Sequence, residues 1–337
     1  MVVNTQVIYN EVPVGIPIPG KTLKLVKSEL DIETVPLNGG VLVKTLALSL
    51  DPYMRGRMRD PSQQSYSATY ELGKPIDGVS AAKVIRSESA AHPVGTFLYG
   101  RGRYEEYSVL SPEELKYFRV LENSGGLPWT TIVGGAGMSG QTAWWSFYEI
   151  GKPKKGETIF VSAAAGAVGQ VVCQLAKKEG LKVIGSAGSD DKVEFLKTIG
   201  VDIAFNYKKE STLKVLQENN PDIYFDNVGG ETLDNVLETM TTFGRIIACG
   251  AVSQYNLKPE ERYALKNYIL IVGKQITYQG FIITGKNLDG FFEAVPKLIK
   301  SGELKIKEHV TYGLDDGQAF VDMLSGAAQG KAVISLE

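Results

Sequence analysis

The stretch Val161-Ser-Ala-Ala-Ala-Gly166-Ala-Val-Gly169 decides the fold class of this 337-residue chain. A short apolar run precedes it, and residues 168–176 follow it with an apolar stripe at helical spacing. Gly166 would allow a backbone to approach a pyrophosphate, and Gly169 would allow the helix to pack closely on the strand. The strand–turn–helix context therefore predicts dinucleotide binding, although Ala164 stands in the place of the first glycine of the pattern. The alternative is a turn of purely structural role.

The residues around this turn alternate between short apolar strands and helical patterns. A helix is predicted over 191–199, and the predicted strands cover 157–161, 182–184, 202–205, 222–225, 245–248 and 276–283. Such alternation is typical of βαβ units, and it predicts an α/β fold with a doubly wound parallel sheet.

The two ends of the chain have a different texture. Strand-like runs such as 41–50 and frequent prolines in the first part predict a compact, mostly antiparallel β-barrel. The pattern changes near Leu127-Pro128-Trp129, and strand-like runs return in the tail. We therefore expect one domain from 1–127 with 308–337, and a second from 128–307.

Composition excludes several classes of protein. The chain has 36 basic and 38 acidic residues, which indicates no nucleic-acid or membrane-surface partner. No apolar run approaches the ~20 residues of a membrane span, and the first residues lack a signal-peptide pattern. The two cysteines and two histidines have no metal-ligand spacing, and no G-x-S-x-G elbow is present. We expect a cytoplasmic, globular protein without a metal.

The end of the second predicted strand indicates which dinucleotide is bound. It reads Gly185-Ser-Ala-Gly188-Ser189, without the acidic residue that NAD enzymes place on the ribose hydroxyls. Lys192 lies in the first turn of the following helix, so the sequence favours a 2′-phosphate and hence NADP(H). The alternative is that Lys192 is a solvated helix residue.

Two further strands end in polar or aromatic residues. Asn227 follows the fourth strand and Tyr255 the fifth, where the crevice of a doubly wound sheet binds ligands. We expect both to contact cofactor or substrate. The alternatives are a turn-forming Asn227 and a packed Tyr255.

Several motifs together resemble one enzyme family. The chain is similar to the zinc-independent medium-chain dehydrogenases/reductases, and within them to the NADPH-dependent alkenal/one double-bond reductases and prostaglandin reductases. The stretches that carry the resemblance are Asp51-Pro-Tyr-Met-Arg-Gly56, Gly134-Gly-Ala-Gly-Met-Ser-Gly140, Ala163-Ala-Ala-Gly-Ala-Val-Gly169, Gly188-Ser-Asp-Asp-Lys192, Phe205-Asn-Tyr207, Phe225-Asp-Asn-Val-Gly-Gly230, Phe243-Gly-Arg245 and Cys249-Gly-Ala-Val-Ser-Gln-Tyr-Asn256.

The resemblance implies a Rossmann domain and a split, mostly β, GroES-like barrel domain, with a set of cofactor contacts. The residues implied to bind NADP(H) are Gly166, Ala167, Val168, Gly169, Gly188, Ser189, Lys192, Tyr207, Asn227, Cys249, Ser253, Tyr255, Phe281 and Ile283. One departure from the family pattern is Ala328-Gln-Gly-Lys331, where family members often have Asn-x-Gly-Lys. The asparagine contact is therefore either lost or supplied by Gln329.

The reaction that the resemblance implies is reduction of the C=C bond of an α,β-unsaturated aldehyde or ketone, with hydride to the β-carbon and a proton to the α-carbon. Tyr255 would hold the carbonyl oxygen, Tyr53 would shape the substrate slot, and a homodimer is expected. The alternatives are a zinc-independent quinone oxidoreductase and a non-catalytic NADPH-binding module.

Overall fold

The computed structural model describes residues 1–122 and 126–337, and these form two compact units. Unit 1 contains Met1–Gly134 and Glu308–Glu337, and unit 2 contains Gly135–Lys307.

The strands of the described residues, in chain order, are β1 (Val2–Tyr9), β2 (Leu23–Leu30), β3 (Val41–Ser49), β4 (Asp77–Ser87), β5 (Phe97–Arg103), β6 (Tyr107–Leu110), β7 (Phe118–Val120), β8 (Thr158–Val161), β9 (Lys182–Ala187), β10 (Ile203–Asn206), β11 (Ile223–Asp226), β12 (Arg245–Ala248), β13 (Thr277–Gly280), β14 (Glu308–Tyr312) and β15 (Lys331–Ser335). The α-helices are α1 (Tyr53–Arg57), α2 (Pro112–Leu115), α3 (Trp129–Val133), α4 (Met138–Ser146), α5 (Gly169–Lys178), α6 (Asp190–Thr198), α7 (Thr212–Glu218), α8 (Gly230–Thr239), α9 (Leu270–Gly273), α10 (Phe291–Ser301) and α11 (Gln318–Ser325). None of these helices is both long enough and apolar enough to cross a membrane.

Unit 2 is built on a six-stranded parallel sheet with the order β10–β9–β8–β11–β12–β13. Neighbouring side chains on each strand point to opposite faces, and both faces are buried at the central strands β8 and β11. On β8, Ile159 and Val161 join one core cluster while Phe160 joins the other. The predicted α/β fold with a doubly wound parallel sheet is therefore confirmed.

Unit 1 is rich in β-structure, as predicted. Its larger sheet has the order β14–β15–β3–β4–β5–β7, and β6 also pairs with β3. All of these pairs are antiparallel except β14–β15. Strands β1 and β2 form a separate antiparallel pair.

The helix α3 differs from the sequence-based expectation, which assigned residues from 128 onward to the second domain. It belongs to unit 1 because its side chains are buried there. Val133 packs with Ala47, Ala81 and Val333, and the Trp129 ring lies 4.6 Å from the Phe97 ring between centroids.

The last strand of the parallel sheet is shorter than the predicted 276–283. Strand β13 pairs with β12 from Arg245 opposite Thr277 to Ala248 opposite Gly280. Since β12 ends at Ala248, the residues after Gly280 have no strand to pair with. Phe281 and Ile283 consequently lie in the loop that follows β13.

Candidate active site

The glycine-rich turn after β8 is a close backbone packing site. A Cβ atom on Gly169 would lie 2.5 Å from the carbonyl oxygen of Ala163 and 2.7 Å from Cα of Ala164, so a side chain there requires the backbone to move. A Cβ on Gly166 would lie 3.0 Å from the same Ala163 oxygen. Ala163 itself has φ of +46°, in the left-handed region that favours glycine. The turn therefore holds strained backbone, which is often found where a ligand is bound.

The missing first glycine of the pattern is compensated on the neighbouring strand. Ala164 is fully buried, and a Cβ on Gly185 in β9 would lie 3.0 Å from Cβ of Ala164. The absence of a side chain at Gly185 thus leaves room for the Ala164 methyl group. The turn keeps its path although its sequence begins with alanine.

Helix α5 begins at Gly169, directly after this turn. Its N-cap residue, Val168, makes no side-chain capping bond, and its first turn contains no acidic residue. The N-terminal N–H groups of a helix lack intrahelical partners and carry a partial positive charge, so they favour an anion. Lys177 and Lys178 lie in the last turn, where positive charge is favourable. The charge distribution of α5 suits phosphate at its start.

A second polar site lies at the carboxyl end of β9. The hydroxyl oxygen of Ser189 is buried and has no hydrogen-bond partner among the described residues. Beside it, a Cβ on Gly188 would lie 3.1 Å from the hydroxyl of Tyr207, so the tyrosine closes over the glycine. A buried hydroxyl without a partner costs about 1–3 kcal/mol, and a ligand oxygen would satisfy it.

Lysine side chains place positive charge next to this site. Burial, followed by the charges of Lys208 and Lys307, lowers the pKa of Lys192 below its ordinary value. The nearby Asp190 carboxylate already accepts hydrogen bonds from Asn206 and Lys209. Lys208 and Lys307 were not identified from the sequence, since only the fold brings them near Lys192. The group of lysines can hold a dianionic phosphate.

The loops after β8 and β11 are joined by side chains. The Asn227 amide nitrogen donates to the carbonyl of Ser162 at 2.8 Å, and the Asn227 backbone N–H donates to the Ser162 hydroxyl at 3.0 Å. The Asp226 carboxylate accepts from the Tyr224 hydroxyl and from the backbone N–H groups of Val228 and Gly229. Asn227 is therefore in part a structural residue, and Asp226 holds the loop after β11 in place. No sequence motif indicates this role of Asp226.

The loop after β12 contains the residues Cys249, Ser253 and Tyr255. The Ser253 hydroxyl donates to the carbonyl of Val228 at 2.6 Å, which joins this loop to the one after β11. The Tyr255 hydroxyl oxygen accepts from the backbone N–H of Ala251 at 3.2 Å. Burial, reinforced by the charge of Asp226, raises the pKa of Cys249 to about 12, so this thiol is protonated at neutral pH. The loop thus presents two hydroxyl groups, those of Ser253 and Tyr255, that are hydrogen-bonded to backbone atoms.

The loop after β13 places Phe281 against the body of unit 2. Its ring lies 5.6 Å from that of Trp145 between centroids, and the side chain is half-buried. Ile283 is also half-buried, and its carbonyl accepts from the N–H of Lys286 in a turn.

Tyr53 belongs to unit 1 and is the first residue of α1. Burial, followed by the charge of Asp51, raises the pKa of its phenol well above the ordinary value, so it is neutral. Arginines of the same region hold neighbouring loops through hydrogen bonds to backbone carbonyls. Arg55 donates to the carbonyl of Gly15, and Arg59 donates to the carbonyls of Gly56, Gln63 and Ser67.

Potential metal ligands are dispersed. In residues 1–122 and 126–337, no three His, Cys, Asp or Glu side chains lie close enough together to hold a metal ion. Cys173 is buried in α5, which raises its thiol pKa. The His92 ring is hydrogen-bonded to the Ser89 hydroxyl at 3.1 Å.

Comparison with known families and proteins gives consistent matches. Residues 167–301 match the zinc-binding dehydrogenase family, and residues 5–118 match the N-terminal domain of oxidoreductases. The ligand set of a zinc site is nevertheless missing from the described residues, as shown above.

Three relatives cover almost the whole chain. NADP-dependent oxidoreductase RED1 of Cochliobolus heterostrophus is 47% identical, covering 99% of this chain and 97% of the relative. The 2-alkenal reductase (NADP(+)-dependent) of Nicotiana tabacum is 39% identical, covering 98% and 97%. Prostaglandin reductase 1 of Sus scrofa is 38% identical, covering 95% of each.

A solved structure agrees with these relatives. CurA from Vibrio vulnificus, in complex with NADPH, superposes with a TM-score of 0.88 at 32% identity and covers 99% of each chain. The chain belongs to the medium-chain dehydrogenase/reductase family, in the subgroup that contains the alkenal reductases and prostaglandin reductases.

Proposed function

We propose that this chain reduces the C=C bond of α,β-unsaturated aldehydes and ketones at the expense of NADPH. The observation that carries the proposal is the Tyr255 hydroxyl, held by the Ala251 N–H at the carboxyl end of the parallel sheet. The names of the tobacco and pig relatives support this substrate class.

Membership of this family, with full-length relatives named as NADP-dependent, makes the chain an NADP-dependent oxidoreductase. The described residues fit the cofactor at two places. Gly166 to Gly169 and the start of α5 would hold the pyrophosphate. Ser189, Lys192 and Tyr207 would hold the 2′-phosphate, since a partnerless buried hydroxyl and a basic cluster meet there.

When bound, NADPH supplies the hydride. The chain's contribution is to hold the substrate and to manage charge and protons. Tyr255 would donate a hydrogen bond to the carbonyl oxygen, which becomes an enolate oxygen as the β-carbon accepts hydride. Because its own oxygen accepts from Ala251, the Tyr255 O–H is strengthened as a donor. Tyr255 or water then protonates the α-carbon, and Tyr53 bounds the substrate slot.

The test is NADPH oxidation by the purified protein with a series of enals, enones and quinones, followed by identification of each product. We expect saturated aldehydes and ketones from the first two classes, with turnover on quinones lower by at least about tenfold. A strong preference for quinones would indicate the quinone oxidoreductase alternative. Tight NADPH binding without turnover of any of these compounds would indicate the binding module.

We also propose a homodimer formed at the free edge of the parallel sheet. All four residues of the edge strand β13 are exposed, and Tyr268, Ile269 and Val272 next to it are 63%, 62% and 73% exposed. An exposed strand edge with apolar neighbours is suited to pairing with a second chain. Light scattering should give a mass in solution of twice the chain mass of 36.6 kDa. The Val272→Glu variant should have a lower measured mass, because the dimer is weakened.

A further inference from the structure

One carboxylate in unit 1 is shared between two arginines. Asp77, at the start of β4, accepts hydrogen bonds from both Arg57 of α1 and Arg101 of β5. Arg101 binds it through Nε and Nη2, with the Nη2 contact at 3.0 Å. Two positive groups therefore share one negative partner.

The balance of charge around Asp77 is positive. Burial disfavours ionisation of Asp77, but hydrogen bonds from Arg57 and Arg101 outweigh it and hold its pKa below the ordinary value. The carboxylate of Asp51, which like Asp77 acts on the Tyr53 phenol, is itself paired with Lys331 at 3.1 Å. The group of Arg57, Asp77 and Arg101 thus carries a net charge of about +1 at neutral pH.

The two arginines differ in their remaining capacity to bind. The Arg57 side chain is 3% exposed; it also donates to the carbonyls of Ala68 and Asp77, and its guanidinium lies 4.0 Å from the Tyr70 ring centroid. The Arg101 side chain is 52% exposed, and its Nη1 has no hydrogen bond within the described part of the chain. Arg101 accordingly offers the unused edge of its guanidinium, formed by Nη1 and Nη2, to solvent or to a ligand.

The two arginines lie close to Tyr53, the residue proposed to bound the substrate slot. Tyr53 and Arg57 are four residues apart on α1, which places them on the same helix face. The charges of Arg57, Asp77 and Arg101 all act on the Tyr53 phenol. The partially exposed guanidinium therefore lies in the surroundings of Tyr53, the residue proposed to bound the substrate slot.

We propose that Arg101 is a specificity-determining residue that binds a carboxylate on the tail of the substrate, so that the preferred enones carry an acid group. This inference depends on the proposed enone reductase function and on the assignment of Tyr53 to its slot. A planar guanidinium edge matches a carboxylate in a two-point contact, and Asp77 fixes the orientation of the guanidinium in advance. Arg55, Arg57 and Arg59 do not fill this role because internal contacts hold their guanidinium groups.

The test compares two substrates with the same enone and the same chain: a linear enone that ends in a carboxylate, and its uncharged methyl ester. A saturated chain should separate the acid from the double bond so that both have equal chemical reactivity. The proteins are the wild type, Arg101→Ala, Arg101→Lys, and Arg262→Ala. Arg262 is an exposed arginine of unit 2, so its variant controls for the loss of one positive charge.

We expect the wild type to favour the acid about tenfold in kcat/KM, since a charged hydrogen-bonded contact contributes roughly that factor. Arg101→Ala should abolish the preference by raising KM for the acid, with kcat and the ester constants unchanged. Arg101→Lys should retain part of the preference for the acid, and Arg262→Ala should retain all of it. In the wild type, the preference should decline as salt is raised to about 0.5 M.

Equal kcat/KM for acid and ester in the wild type would overturn the inference, as would an equal loss on both substrates in Arg101→Ala. The wild-type comparison does not require any variant to fold. Failure of the proposed function has a different signature, because neither the acid nor the ester would then support NADPH oxidation.

Discussion

The hydroxyl oxygen of Tyr255 accepts a hydrogen bond from the backbone N–H of Ala251, 3.2 Å away in the same loop. A Cβ on Gly250 would lie 3.0 Å from that oxygen, so the loop backbone surrounds the hydroxyl closely. The donor that would face a substrate carbonyl is therefore oriented by main-chain atoms. Preorganised donors of this kind are effective because they need little rearrangement when charge develops.

Replacement of Tyr255 tests this arrangement directly. Tyr255→Phe should lower kcat for an enone by about 10²-fold or more, because the enolate oxygen loses its donor. The Kd for NADPH, measured by fluorescence titration, should stay within about twofold. Tyr263→Phe is the matched control, since that hydroxyl bonds to Asp234 at 3.0 Å instead. Unchanged turnover in Tyr255→Phe would remove this residue from the mechanism.

Replacement of Lys192 tests the choice of cofactor. Lys192→Ala should weaken NADPH binding about tenfold or more, because a charge-assisted contact to the 2′-phosphate is lost, and leave NADH binding nearly unchanged. Calorimetry with both cofactors gives the comparison. Lys197→Ala is a control in the same helix, where Lys197 pairs with Glu194. Equal weakening of both cofactors would contradict the assignment of the 2′-phosphate site.

The two glycines of the turn after β8 should differ in their tolerance of a methyl group. Gly169→Ala should destabilise the protein by several kcal/mol, because its Cβ would lie 2.5 Å from a backbone oxygen. Gly166→Ala, with its nearest atom at 3.0 Å, should fold and bind NADPH more weakly. Thermal unfolding and cofactor titration of both variants check this order. A Gly169→Ala protein as stable as the wild type would contradict the packing described here.

The buried pair of Lys331 and Asp51 makes a prediction about stability. Lys331 donates to Asp51 and to the carbonyls of Leu50 and Ala332, and burial lowers its pKa despite the charge of Asp51. Lys331→Met should cost about 3–5 kcal/mol, because Asp51 keeps a buried charge without its partner. The double variant with Asp51→Asn should regain part of that loss in urea unfolding. If the single and double variants were equally unstable, the unpaired charge of Asp51 would not be the cause of the lost stability.

The sequence was most informative where local pattern and final packing agree. Residues 245–248 form the predicted strand, and the turn at Gly166 and Gly169 occupies the predicted place between strand and helix. Each of these features depends on neighbours in the chain, so periodicity and glycine spacing reveal it.

Features made by distant residues were not visible in this way. Trp129 reads as the start of the second domain, but its packing on Phe97 places it in unit 1. The charges of Lys208 and Lys307 reach Lys192 only in the folded unit, and the Arg57–Asp77–Arg101 group joins a helix to two strands. Side-chain convergence of this kind has no local signature.

The position of β15 between β14 and β3 has a consequence for biosynthesis. A nascent chain emerges from the ribosome with β3 long before the strand that covers its edge, whereas all strands of unit 2 lie between Thr158 and Gly280. Unit 2 is thus able to complete its sheet from one continuous segment during translation, but the larger sheet of unit 1 needs β15, which is synthesised after all of unit 2. Until β15 is synthesised, residues Ala47 to Ser49 of β3 lack a strand partner on one side, and an unpaired strand edge is prone to association with other chains.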